Sequence, residues 1–293
     1  MKKIFTILFM LAFIVGINRT QAQIQFGTGI NFGYGCGAAI QEVNSNYNSD
    51  SSGAFTDEGI YASYGAGLHG ALLLQAKICN MGDAELNIGG FKGKKITYTD
   101  YESYGDGDYF SETGTEGACG WFLEPMVRLH TVNEGKCNFY ARQGVHVGVG
   151  IKNKFSGTTI NNYGTFYNNT TEWSGVERGN IALGYTGELG ASYAPNDNYE
   201  FNLGVYYRGV NVSWKSSSLE TYSQTITTQI GTLVSGIDSL DENQREVLYQ
   251  RTITDKDNED PDKPSVQLQE FKPYSSYGIR IGFIYQFGAA QNR

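Results

Sequence analysis

The chain has 293 residues and a formal net charge of −8 at pH 7. A mean hydropathy of −0.36 and a pI near 5.0 exclude a bundle of membrane helices and argue against a nucleic-acid binder, which needs a basic face. Glycine (38), tyrosine (21) and phenylalanine (16) are plentiful and proline (5) is scarce. Without a collagen period or low-complexity tracts, that mixture reads as β-rich.

In chain order, Lys2 and Lys3 form a basic start, Ile4 to Ile17 is an apolar run broken by Thr6 and Gly16, and Thr20-Gln21-Ala22 is a small-residue exit. This is the pattern of a secretory signal peptide over residues 1–22, cleaved after Ala22; the apolar run is shorter than the roughly 20 residues a membrane helix needs. No later stretch is long and apolar enough for a transmembrane helix. Residues 23–293 form one unit with the strand period of two.

Its first segment places Phe26, Ile30, Phe32 and Tyr34 on one face and Gly27, Gly29, Asn31, Gly33 and Gly35 on the other. Residues 61–73 set Tyr64, Ala66, Leu68 and Leu72 against Ser63, Gly65, Gly67 and His69. In residues 84–96, Leu86 and Ile88 share a face and Phe91 jumps to the other after Gly89-Gly90. Residues 119–131 oppose Trp121, Leu123, Val127 and Leu129 to Glu124, Arg128 and His130, with Pro125 removing a ladder donor in mid-strand. Residues 138–151 oppose Phe139, Val145, Val147, Val149 and Ile151 to Arg142, Gly144, His146 and Gly148. Residues 179–193 oppose Ile181, Leu183, Tyr185 and Leu189 to Thr186 and Glu188. Residues 199–214 begin with Phe201, Leu203, Val205 and Tyr207 against Asn202, Tyr206 and Arg208, then switch face after Gly209, where Val210, Val212 and Trp214 take over. Residues 274–287 oppose Tyr277, Ile279, Ile281, Phe283, Tyr285 and Phe287 to Gly278, Arg280 and Gly282. Glycine at the two parity slips, Gly89-Gly90 and Gly209, predicts β-bulges there.

The seven connections are 26, 10, 22, 6, 27, 5 and 59 residues long. That alternation of long and short belongs to an all-β, eight-stranded, antiparallel up-and-down transmembrane β-barrel with long external loops, not to an immunoglobulin-like sandwich. A further hairpin inside residues 215–273 would make ten strands. Glu124, Arg128, Arg142, Glu188, Arg208 and Arg280 all fall on the glycine-bearing face, which in a membrane barrel is the lumen. They are expected to pair there and plug it.

The signal peptide, the eight alternating strands and the strand-end aromatics resemble the small outer-membrane barrels typified by the OmpA transmembrane domain and OmpX. The segment Tyr277 to Phe287 is similar to the terminal strand read by the barrel-assembly machinery, with Phe287 as the assembly signal, although Gly288 to Arg293 follow it. The resemblance implies a monomer in the outer membrane of a diderm bacterium, in contact with its lipid.

Chemistry is sparse. His69 and His146 share the lumen face, no His-x-Ser lies on a strand, and no HExxH, GxSxG or P-loop spacing occurs, so the expectation is a non-enzymatic protein with no cofactor or metal. Strand topology pairs Cys36 with Cys119 and Cys79 with Cys137 as disulfides, with free thiols the alternative. Asp255, Asp257, Glu259, Asp260 and Asp262 lack the glycine and glutamate an EF-hand requires and read as a solvated loop tip. In the long external loop 215–273, Ile226, Ile230, Leu233, Ile237 and Leu240 follow a heptad-like spacing. Ser239-Leu-Asp-Glu242 is a capping-box pattern for a helix to about Arg251, and Val266 and Leu268 would extend the last strand. Tyr-, Asn-, Ser- and Gly-rich loops such as Tyr163–Trp173 suit binding of an extracellular partner or envelope integrity. A narrow pore is the second reading and a lipid-modifying barrel enzyme the third.

Overall fold

The computed structural model describes residues 25–38, 42–79, 81–131, 136–164, 166–254, 258 and 260–287. The signal-peptide segment and Asp255, Asp257 and Glu259 of the acidic cluster lie outside these residues. The described chain is all-β. Its sixteen strands are β1 Phe26–Gly37, β2 Glu42–Ser49, β3 Phe55–Tyr61, β4 Gly67–Cys79, β5 Gly82–Gly93, β6 Ile96–Gly105, β7 Asp108–His130 and β8 Cys137–Tyr163, followed by β9 Tyr167–Gly179, β10 Ala182–Asn196, β11 Tyr199–Thr228, β12 Gly231–Gly236, β13 Glu246–Gln250, β14 Ser265–Leu268, β15 Phe271–Pro273 and β16 Ser276–Phe287.

Hydrogen bonding runs in a ring. β1 pairs with β16 on one side and β4 on the other. From β4 the pairing passes to β5, β7, β8, β10 and β11, and β11 returns to β16. Each of these pairings is antiparallel and the members follow one another in chain order. One end of the ring is closed by tight connections, such as Asn196 to Tyr199 (the turn end). The other continues upward (the wall end).

The wall replaces the expected long loops. β7, β8 and β11 have 23, 27 and 30 residues, and at about 3.3 Å per residue they run far beyond the ring. β9 lies between the upper halves of β8 and β11, and β6 lies on β7 and carries the β2–β3 hairpin through β2. β12, β13 and β15 attach to β11. Above the residues that touch the apolar cluster, such as Ile96 on β6 and Val176 on β9, these strands are mostly polar on both faces, so little hydrophobic alternation marks them; their Thr, Tyr and Ile content supplies the β preference. A further hairpin does form in 215–273, but β12 stays in the wall and does not enter the ring.

The helical reading of that segment is corrected. Among the described residues of that segment only a 3-10 turn, Ile237–Ser239, and one α turn, α1, Glu242–Arg245, form, and Glu246–Gln250 is strand. The cap is Asp241, whose N–H donates to Gln244 Oε1 at 3.0 Å, rather than Ser239. Ile226 and Leu233 face each other across the β11–β12 hairpin, so the heptad-like spacing is a coincidence of two strands and their turn. Val266 and Leu268 do form a strand, but it runs parallel to β13 and does not prolong β16.

The two predicted bulges are also corrected. β5 pairs without a break through Gly89-Gly90 on both sides, and β11 pairs without a break through Gly209 with β10. Phe91, Val210, Val212 and Trp214 keep the inward parity of the residues below them, and the inner face itself changes from polar to apolar. The bulge is at Gly150, where β7 steps from Cys119↔Lys152 to Trp121↔Val149. Gly150 has φ +60, in the left-handed region that glycine enters at little cost. The bulge turns Ile151 inward, against its sequence assignment. Tyr64 and Ala66 also point inward, because residues 62–66 precede the strand and fold over the ring. Pro125 is accommodated by a gap: it pairs with Leu86 of β5, while the β7–β8 ladder skips from Leu123↔Val147 to Met126↔Gly144.

Candidate functional site

Inside the ring the alternation places one inward residue every second position on eight strands, and the glycines among them leave room for long side chains. A Cβ at Gly282 would strike the carboxamides of Asn31 and Asn202, for example. The space is filled in two layers.

The lower layer is charged. The structure places Glu124, Arg128, Arg142, Glu188, Arg208 and Arg280 inside, each at most 3 % exposed. It adds three acids that the sequence reading missed: Asp83, at 4 %, which stays with Gln75 and His130 at the turn end, and Glu85 and Glu200, at 4 % and 8 %, which join the other six. Together they form one alternating chain. Glu200 contacts Arg128 Nη2, and Arg128 Nη1 lies 3.8 Å from Glu85. Arg142 bridges Glu85 and Glu188 at 2.8 Å each. Arg280 bridges Glu188 at 3.1 Å and Glu124 at 3.4 Å, and Glu124 ends on Arg208 at 2.8 Å. Four carboxylates and four guanidiniums cancel, which is what allows them to be buried: an isolated ion would carry several kcal/mol of desolvation penalty, whereas each member here has an opposite charge on at least one side. Tyr140 stacks under Arg128 and Arg142, with both Cζ atoms 4.6 Å from its ring centre, and its hydroxyl donates to Glu188 at 2.5 Å. Glu85 shares parity with Asn87 and Gly89, and Glu200 with Asn202; continuing the alternation through the weak β5 segment and one step earlier in β11 would have found both.

The histidines serve this layer. His146 Nδ1 lies 3.0 Å from Glu124 across the Pro125 gap. His69 packs edge-on against Tyr206, with ring centres 4.8 Å apart. His130 sits near the turn end, 3.7 Å from Asp83.

The upper layer is apolar. Tyr64, Ile96, Ala118, Ile151, Ala182, Val210, Val212, Trp214 and Tyr274 form one buried cluster. Tyr64 and Tyr274 stack at 5.5 Å, with Phe91 edge-on to Tyr274 at 6.0 Å. Lys272 closes the cluster from above, 5.3 Å over the Tyr64 ring and 5.6 Å over Trp214, with Glu116 at 3.6 Å and Glu177 at 3.4 Å. Tyr64 donates to Glu116 at 2.5 Å, and burial, reinforced by Glu116, pushes its phenol well above the usual tyrosine range.

The outer face of the ring is the opposite of the inner. Between a lower border with Phe26, Tyr199, Tyr285 and Phe287 and an upper one with Tyr34, Tyr207 and Tyr277 it carries aliphatic side chains interspersed with Phe32, Phe201 and Phe283. Below the row of Tyr34 no Asp, Glu, Lys or Arg lies on it among the described residues; the first outward cations, Lys92 on β5 and Lys152 on β8, stand in that row. Phe287 stacks on Phe26 at 6.5 Å.

All four cysteines are free, which corrects both expected pairs. β4 and β5 stand between Cys36 on β1 and Cys119 on β7, and β5 and β7 stand between Cys79 on β4 and Cys137 on β8. Three strand spacings of about 4.8 Å exceed the roughly 7 Å Cα limit of a disulfide. Of the acidic cluster, Asp260 pairs with Lys263 at 2.8 Å in an exposed turn. No cluster of metal-ligating side chains occurs among the described residues.

No protein-family model matches the sequence, and no curated protein matches it. Among solved structures, a major outer membrane protein from Thermus thermophilus is 14% identical, over 91% of this chain and 100% of that one, with a TM-score of 0.29. A Pseudomonas aeruginosa FadL homologue is 6% identical over 90% and 89%, and the CymD monoaromatic hydrocarbon channel 9% over 92% and 89%, each with a TM-score of 0.14. At these scores the likenesses assign neither a family nor an activity to this chain.

Proposed function

We propose that the chain is an outer-membrane protein whose ring spans the bilayer as an eight-stranded up-and-down barrel of the small OmpA/OmpX type, with its turn end in the periplasm and its strand wall outside the cell. The uncharged outer belt supports this. From Tyr277 to Phe287 it covers about 33 Å of strand, which at a tilt of about 40° is about 25 Å of height, matching the roughly 25 Å apolar band of such barrels. Phe287, at the end of β16, is the residue offered to the assembly machinery, and the barrel acts as a monomer.

Its function is non-enzymatic and lies in the wall, which binds a partner at the cell surface or supports the envelope. One observation carries this reading: the interior is filled from Glu200 to Lys272 by the ion-pair chain and the Tyr64–Trp214–Tyr274 cluster. The polar mouth at the turn end, about 680 Å³, is lined by Arg128 and Glu200, the first links of that chain. Such an interior conducts nothing, which counts against the pore reading.

Planar-bilayer recording on the refolded barrel tests it. The expected result is no step conductance, together with protease cleavage of the wall and protection of the ring in oriented vesicles. A stable channel of defined size would overturn the proposal in favour of a pore.

A further inference from the structure

On the outer face of the ring, just below the wall, one row runs Phe32 on β1, Gly70 on β4, Gly90 on β5 and Trp121 on β7, each directly paired with the next. Phe32 and Trp121 project, at 55 % and 67 % exposure, and the two adjacent glycines between them leave a groove of about 610 Å³. Its sides are apolar.

Gly70 is not required by the protein itself. Both glycines have ordinary backbone angles, and a Cβ at Gly70 would meet nothing nearer than the Phe32 ring at 3.4 Å, whereas one at Gly90 would lie 3.3 Å from the Gly120 carbonyl, a tight contact that the neighbouring strand would have to ease. The inward glycines, such as Gly282, are held by collisions with their neighbours; Gly70 is not. A strand glycine without such a reason marks a place where something else comes close.

The row above supplies the second observation. It runs Leu68, Lys92, Cys119, Lys152 and Arg178 on β4, β5, β7, β8 and β9. Lys92, Lys152 and Arg178 are exposed on the same outer face, and Lys154 lies one outward step higher on β8. No salt bridge to any of these four occurs among the described residues. The groove therefore opens, at its wall end, under three cations spread over about 14 Å, the width of three strand spacings.

We infer that this groove and its basic row form a binding site for a phosphorylated glycolipid of the outer leaflet, with an acyl chain lying over Gly70 and Gly90 between Phe32 and Trp121. The inference rests on the membrane-spanning reading above. A headgroup with more than one phosphate fits a row of three cations better than the single phosphate of a phospholipid, and the apolar floor fits a saturated chain.

The test is native mass spectrometry of the detergent-refolded chain titrated with a bisphosphorylated lipid A, phosphatidylglycerol and phosphatidylcholine. Heat-modifiable migration first establishes that each variant is a folded barrel; failure of the unaltered chain to show it would count against the membrane reading, not against the site. The bisphosphorylated lipid is expected to remain bound at least fivefold more than phosphatidylglycerol, and phosphatidylcholine not to be retained. Lys92→Gln with Lys152→Gln should remove that preference, and Gly70→Leu, which fills the groove, should lower retention of the same lipid while leaving the lysines in place. Equal retention of all three lipids, or unchanged retention in folded variants of both kinds, would overturn the site.

Discussion

Arg208 presents two nitrogens to a single oxygen of Glu124, Nη2 at 2.8 Å and Nε at 3.1 Å. The other oxygen of Glu124 faces Arg280 at 3.4 Å. One carboxylate thus bridges two guanidiniums, sharing Arg280 with Glu188, and contacts His146 as well. Glu124→Ala leaves Arg208 without any acid and Arg280 with Glu188 alone. Stranding a buried partner costs about 3–5 kcal/mol, so urea unfolding in detergent, followed by the heat-dependent gel shift, should show a loss of that order. Asp57→Ala, on the exposed β3, should stay within about 0.5 kcal/mol. Equal midpoints for the two variants would mean that the ion-pair chain contributes nothing to stability.

Glycines on the two faces of the ring should respond differently to the same substitution. Gly282→Ala drives a methyl into the Asn31 and Asn202 carboxamides, and overpacking of this kind costs about 1–3 kcal/mol. Gly70→Ala meets only the Phe32 ring at ordinary contact distance, so its unfolding midpoint should be unchanged or raised.

The phenols above the belt set an alkaline limit. Burial, then Glu116, raises Tyr64, and burial, then Glu177 and Glu116, raises Tyr274. Below the unfolded-state value of about 10, both states hold these protons and the stabilising contribution is complete. Above it the unfolded chain releases them first, so stability falls as pH rises. Unfolding midpoints measured from pH 8 to 11 should decline at the alkaline end. The decline should be shallower in Tyr274→Phe, which removes one of the two groups.

Thiol counting checks the cysteines. Denatured without reductant, the chain should react with four equivalents of maleimide, one for each cysteine, and its gel mobility should not change on reduction. A diagonal gel with an internal crosslink would contradict the separation of Cys36 from Cys119 by two strands.

The ring is legible in the sequence because each of its strands has one apolar and one small or polar face, and the charges that share parity with Arg142 or Arg280 follow from counting by twos. Glu85 escapes that count because Phe91 mimics a slip, when the inner face simply turns apolar at that height; Val210 and Trp214 on β11 mislead in the same way. The wall is illegible for a different reason. With water on both faces, Thr158, Thr159 and Ile160 need no alternation to be strand. Spacing of the apolar residues in 215–273 mimics a helix because a hairpin also brings residues seven apart, such as Ile226 and Leu233, together.

Gly150 is where sequence and structure separate most sharply. With φ +60 and only Trp121 Cδ1 near an added methyl, at 3.8 Å, a side chain there has space but the wrong backbone angle. Gly150→Ala should therefore cost about 1–2 kcal/mol. Gly150→Asn should cost less, because asparagine enters the left-handed region more readily, and Gly150→Val more, because a β-branched side chain is worst there. Deleting the residue is a different perturbation. It removes the bulge but leaves a plain alternation on β8, with Gly148, Ile151 and Asn153 still inward and Val149 and Lys152 still outward, because Gly150 is the one residue in excess of the β7 ladder. The deletion variant should therefore keep its heat-modifiable folded form, with Trp214 shielded from iodide. A deletion variant that loses the folded form, or that exposes Trp214, would show that the bulge is needed for more than carrying one extra residue.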